Sequence, residues 1–95
     1  MNQPIDYSKD LTEDFMRKNF DNLDVNEISE KQELSEEFMY DFADELNWNL
    51  LVINQNMSKE FIEEHSDYID WLFVSDNIET LPEIFGKEFS HKLLF

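Results

Sequence analysis

The sequence predicts an all-α chain built from a repeated pair of short helices. The segment Leu11-Thr12-Glu13-Asp14-Phe15-Met16 recurs as Leu34-Ser35-Glu36-Glu37-Phe38-Met39 and as Met57-Ser58-Lys59-Glu60-Phe61-Ile62, each start 23 residues after the last. A truncated fourth copy begins Leu81-Pro82-Glu83-Ile84-Phe85. One Gly and two Pro in 95 residues are too few for the turns of a β architecture. Good N-cap residues, Thr12, Ser35 and Ser58, fall at the same place in three copies.

Residues 1–10 read as a lead-in or a worn half-copy, with Pro4 limiting helix and Ile5 and Tyr7 placed to cover one end of the array. In each full copy acids follow the cap, where the helix dipole favours them: Glu13-Asp14, Glu36-Glu37 and Glu60. The residue before the cap (Leu11, Leu34, Met57) is spaced to pack on Met16, Met39 or Ile62 as a hydrophobic staple. Phe38, Met39, Phe42 and Leu46 then share one helical face, matched by Phe15, Met16, Phe20 and Leu23 and by Phe61, Ile62, His65 and Ile69. A second helix begins after the caps Asp24, Asn47 and Asp70, with Val25, Trp48 and Trp71 first and Ile28, Leu51 and Val74 at the staple position.

Each unit therefore reads as a helix of about ten residues, a tight corner and a shorter helix, too short to be stable unless stacked on its neighbours. Leu50-Leu51-Val52-Ile53 and Trp71-Leu72-Phe73-Val74 have strand propensity. Helix is favoured because the equivalent Val25–Lys31 stretch has helical periodicity, and the all-round apolar character of the later copies fits central, buried helices. The last segment keeps Leu81, Phe85, Phe89 and Leu93 four apart, and its apolar tail Leu94-Phe95 is placed to fold back or to meet a second copy as a homodimer contact. The expected architecture is one domain, 1–95: a right-handed stack with repeats 11–33, 34–56 and 57–79 and a partial repeat 81–95.

Composition narrows the function. Nine Phe among 15% aromatics mark a folded chain with a charged skin rather than a disordered one. No Cys means no disulfide, thiolate metal site or cysteine nucleophile. No stretch resembles a membrane span or a basic, apolar leader, so a soluble cytoplasmic protein is expected. Charge is the outlier: 23 acids against 7 bases, net −16, with fifteen acids and two lysines (Lys31, Lys59) between Glu27 and Glu79. That region repels nucleic acid and anionic membrane and attracts a basic surface.

Catalytic chemistry finds no foothold. Adjacent acids such as Glu36/Glu37, Asp44/Glu45 and Glu63/Glu64 diverge by about 100° on a helix and do not converge on one proton or ion. His65 and His91 are the only histidines, without the pairing a zinc site uses; His65 takes the repeat position of Phe42, an edge-of-core place. No Gly-rich phosphate loop, calcium loop or nucleophile elbow is present, so no catalytic residue, metal or cofactor is expected. Trp48 and Trp71, at equivalent positions, read as core.

The residues Leu34-Ser35-Glu36-Glu37-Phe38 and Asp70-Trp71 resemble a short helical repeat of large-DNA-virus, phage and bacterial proteins, with a consensus near LSEEFI…DWxxIS…Q, over residues 11–93. Val25 in place of Trp and Pro82 at the fourth cap depart from it. The resemblance implies architecture and a viral or mobile-element setting, and no activity. A looser, physical likeness is to small acidic phage proteins that act as DNA mimics in anti-restriction and anti-CRISPR roles.

The expected function is thus a non-enzymatic inhibitor that blocks the basic nucleic-acid groove of a host nuclease. Its carboxylates would be Glu36, Glu37, Asp41, Asp44, Glu45, Glu60, Glu63, Glu64 and Asp67, with Tyr40 and Tyr68 as anchors. The alternative is a repeat scaffold that binds a protein through an apolar or mixed face, without mimicry.

Overall fold

Thr12 opens the first helix by accepting the Phe15 amide on its hydroxyl at 3.1 Å, and the same device recurs at Ser35 toward Phe38 and at Ser58 toward Phe61. The computed structural model describes residues 5–94; the readings made of Pro4 and of the Phe95 end of the tail lie outside them. Among the described residues there are seven α-helices and no strand. They are α1 (Glu13–Lys18), α2 (Val25–Lys31), α3 (Glu36–Asp41), α4 (Trp48–Asn54), α5 (Lys59–Glu64), α6 (Trp71–Asp76) and α7 (Glu83–Glu88). Helices α1, α3 and α5 start at one 23-residue interval, and α2, α4 and α6 at another. The strand-prone stretches lie inside α4 and α6, so apolar packing and the caps Asn47 and Asp70, each bonded to an amide of the first turn, override local propensity.

The first helix of each unit is shorter than expected. It breaks after six residues at Asn19, Phe42, His65 and Phe89, where φ is −112° to −126° and ψ 18° to 24°. A 3₁₀ turn follows at Phe20–Asn22, Ser66–Tyr68 and Ser90–Lys92, and a looser turn after Phe42. Apolar spacing of three and four suits either helix type, so the pattern alone does not place the break. The tightened turn delivers Leu23, Leu46 and Ile69 into the core just before the next cap.

The core runs the length of a body of 50 × 22 × 18 Å, from Met16 and Ile28 through Phe38, Leu51 and Ile62 to Val74 and Phe89. Burial of α4 and α6 is one-sided, against the expectation that both are enclosed. Leu72 is 55% and Ile53 42% exposed, so each helix keeps a solvent side.

Buried glutamines bond backbone groups of segments 21 to 26 residues away. Gln55, 4% exposed, accepts the Leu34 amide on Oε1 at 3.0 Å and donates through Nε2 to the Ser29 and Gln32 carbonyls at 3.1 and 2.6 Å. Gln32 does the same one unit earlier, accepting from Leu11 and donating to the Tyr7 and Lys9 carbonyls. Residues 7–9 thus stand where 29–32 stand in the next unit, and the Tyr7 hydroxyl accepts the Asp24 amide at 2.7 Å. Ile78 occupies the third glutamine position and packs against the core instead. A serine bond spans the alternate junctions: Ser29 Oγ accepts the Asn47 amide at 3.4 Å, and Ser75 Oγ accepts the Leu94 amide at 2.6 Å. No helix among the described residues is long and apolar enough to cross a membrane.

Candidate partner-binding face

Helices α3 and α5 carry acids in their first turns, Glu36 and Glu37 in one and Glu60 in the other, where the helix dipole favours them. Five of the seven bases are in ion pairs: Arg17 with Asp41, Lys18 with Asp14, Lys31 with Glu27, Lys59 with Glu63 and Glu88, and Lys87 with Glu83. Those pairs engage six of the 23 acids, so 23 − 6 = 17 have no Lys or Arg partner among the described residues. Most of the negative charge is therefore offered to solvent.

The carboxylates predicted to bind a partner divide into two groups. Glu36 is half-buried and accepts the Ser58 amide at 2.6 Å and the Ser58 hydroxyl at 3.1 Å, as Glu13 accepts the Ser35 hydroxyl one unit earlier. Asp41 accepts Arg17 Nη1 at 2.8 Å, Asp44 accepts the Tyr68 hydroxyl at 2.6 Å, and Glu63 lies 3.9 Å from Lys59. Glu36, Asp41 and Asp44 join one segment of the chain to another, while Glu63 pairs within its own helix. Glu37, Glu45, Glu60, Glu64 and Asp67 are exposed and have no such bond among the described residues.

Tyr40, 60% exposed, and Tyr68, 42% exposed, frame a hollow of about 440 Å³ completed by Ala43, Glu64 and His65. A neighbouring hollow of about 260 Å³ shares Tyr40 and Glu64 and adds Glu36, Glu37, Glu60 and Phe61. The floor is aromatic: His65 stacks on Phe61 at 4.2 Å and on Trp48 at 5.4 Å, and meets Tyr40 edge-on at 5.2 Å. Trp48 and His65 are both buried, the indole donating to the Ala43 carbonyl at 2.8 Å. His65 Nδ1 lies 2.9 Å from the Phe61 carbonyl. A carbonyl only accepts, so Nδ1 carries the hydrogen in this bond. Trp71 is half-buried and donates to the Ser66 carbonyl.

The Tyr68–Asp44 bond has a measurable consequence. It raises the tyrosine above its ordinary titration range, first through the hydrogen bond to Asp44, then through desolvation and the negative charge nearby. The protonated phenol is the form the fold favours. Its contribution to stability is present below the unfolded tyrosine's pKa and is lost as pH rises through the higher folded one. Asp44→Asn is expected to bring the Tyr68 transition back toward the ordinary value of about 10. An ultraviolet absorbance titration checks it, and an unchanged Tyr68 transition in the variant would contradict the assignment. Arg17 is raised likewise, chiefly by its bond to Asp41.

Sequence reasoning missed Arg17, Phe61 and the floor role of His65. Lining up the copies carries the signal: positions 17, 40 and 63 are Arg17, Tyr40 and Glu63, three different chemistries at one place in the unit. No protein-family model, curated protein or solved structure matches this chain.

Proposed function

We propose that the chain is a stack of three and a half helix-pair repeats. In this reading it is a non-enzymatic acidic inhibitor that mimics nucleic acid and occupies the basic groove of a host defence protein, such as a CRISPR or restriction nuclease, in the host cytoplasm. The repeat reading is supported by glutamine, serine and glutamate bonds that recur between segments 18 to 26 residues apart. The observation that carries the functional reading is charge per length. A net charge of −16 along 50 Å is one charge per about 3 Å, close to the 3.4 Å per phosphate of one DNA strand. A surface of this density answers a groove evolved to hold phosphates, and its Coulomb field speeds encounter with it.

The test is graded neutralisation of the carboxylates that make no internal bond: Glu37→Gln, Glu45→Gln, Glu60→Gln, Glu64→Gln and Asp67→Asn. Affinity for the partner falls with each step while the fold holds. The rival reading, a protein-binding scaffold without mimicry, draws on exposed Leu72 and Ile53. It predicts instead that binding survives neutralisation and fails when Leu72 becomes a polar residue.

A further inference from the structure

We propose that the hollow formed by Tyr40, Glu64, His65 and Tyr68 is a receptor for the guanidinium of an arginine side chain on the partner protein. The chain's first junction already contains such an arrangement. Arg17 lies over the rings of Phe38 and Phe42, its Cζ 5.3 and 5.7 Å from their centroids, while Nη1 donates to Asp41 at 2.8 Å. Advancing 23 residues, Phe38, Asp41 and Phe42 become Phe61, Glu64 and His65. The corresponding rings of Phe61 and His65 are also in contact, stacked at 4.2 Å where Phe38 and Phe42 are tilted at 4.7 Å, and Glu64 lines the hollow beside His65. The residue in Arg17's place is Tyr40, which brings a ring edge to His65 and no charge.

The third junction is also supplied with a cation. Its register is advanced by one residue, so Phe85, Glu88 and Phe89 take the three positions, and Lys59 lies 3.6 Å from Glu88. Of the three equivalent carboxylates Asp41, Glu64 and Glu88, Glu64 alone has no Lys or Arg partner among the described residues. It faces a hollow of about 440 Å³ with a tyrosine on either side.

The chemistry selects arginine over lysine. A planar guanidinium stacks on aromatic faces while its fork of donors reaches a carboxylate, and it is more weakly hydrated than an ammonium. Here Glu64, which lines the hollow, is the anionic acceptor. The hydroxyl bond to Asp44 fixes the ring of Tyr68, so that wall is set before the ligand arrives. Only the naming of the partner as a phosphate-binding protein rests on the inhibitor reading. The receptor itself stands on the contacts of the first and third junctions.

The probes are N-acetyl-arginine amide and N-acetyl-lysine amide, titrated at equal ionic strength into the full chain and followed by amide NMR shifts. The arginine derivative is expected to move the signals of Tyr40, Glu64, His65 and Tyr68 and to bind about three- to tenfold tighter than the lysine derivative. Glu64→Gln removes the carboxylate. Tyr40→Arg, independently, places a tethered guanidinium where Arg17 stands one unit earlier. Either variant is expected to abolish the localised response while leaving the rest of the spectrum in place. Equal response to both amides, shifts spread along all the exposed acids, or a localised response that persists in Glu64→Gln would overturn the proposal. Spread shifts would leave mimicry by charge standing. A localised arginine response combined with partner binding indifferent to nucleic acid would leave the receptor standing and remove the mimicry.

Discussion

Gln55→Ala lowers the free energy of unfolding by about 3–5 kcal/mol, the largest loss expected from a single polar side chain in this protein. Its three hydrogen bonds all lie in buried surroundings and tie Gln55 to one segment, residues 29–34: the Leu34 amide, the Ser29 carbonyl and the Gln32 carbonyl. Truncation leaves one donor and two acceptors without partners, each costing about 1–3 kcal/mol where water does not replace the bond. A domain of this size has about 5–15 kcal/mol in total, so the variant sits near the edge of folding, with a melting temperature lower by roughly 15 °C or more. Gln55→Glu does no better, since a carboxylate has nothing to donate to two carbonyls and its charge would be buried. Gln32→Ala costs less, about 1–2 kcal/mol, because its partners at Tyr7, Lys9 and Leu11 are only part-buried and water substitutes. Urea denaturation of the two variants side by side decides it; equal losses, or a loss at Gln55 below about 1 kcal/mol, would contradict the bracket.

Neutralising Glu37, Glu45, Glu60, Glu64 and Asp67 together lowers affinity and leaves stability nearly unchanged. Each exposed charge is worth about 0.2–1 kcal/mol in a surface pairing, so five removed cost about 1–5 kcal/mol of binding, a loss of up to a few thousandfold at low salt. At physiological salt, with a screening length of about 8 Å, the loss shrinks and the salt dependence of binding flattens. None of the five holds a hydrogen bond or ion pair inside the protein among the described residues, and removing them relieves mutual repulsion in a chain of net charge −16. The melting temperature of the free protein therefore changes little, the relief of repulsion offsetting the helix-dipole interactions lost with Glu37 and Glu60. A variant that binds less only because it melts earlier would contradict the account. Glu36, Asp41 and Asp44 are poor choices for this experiment, since Ser58, Arg17 and Tyr68 depend on them.

The helices were legible in the sequence because their caps are local. Thr12, Ser35 and Ser58, with Asp24, Asn47 and Asp70, announce six helix starts, and each side chain makes the bond its position implies. The break at Phe42 and His65 was not legible, because α and 3₁₀ turns share the same apolar spacing. Nor were the roles of Gln32, Gln55, Arg17 and Glu36, whose bonds run to segments 21 to 26 residues away. Within one copy Glu36 and Glu37 look alike; in the folded chain one bonds Ser58 and the other is free to meet a partner. The acidic face was visible as a sum of charges. Its division into structural and available carboxylates depends on which side chains meet across a junction.

Capture of a partner from host lysate on the immobilised protein, followed by displacement with added DNA or RNA at fixed ionic strength, tests mimicry most directly. The account predicts that nucleic acid releases a basic, nucleic-acid-binding protein, and that raising the salt releases it as well. A partner that stays bound through high salt and ignores added nucleic acid would contradict it.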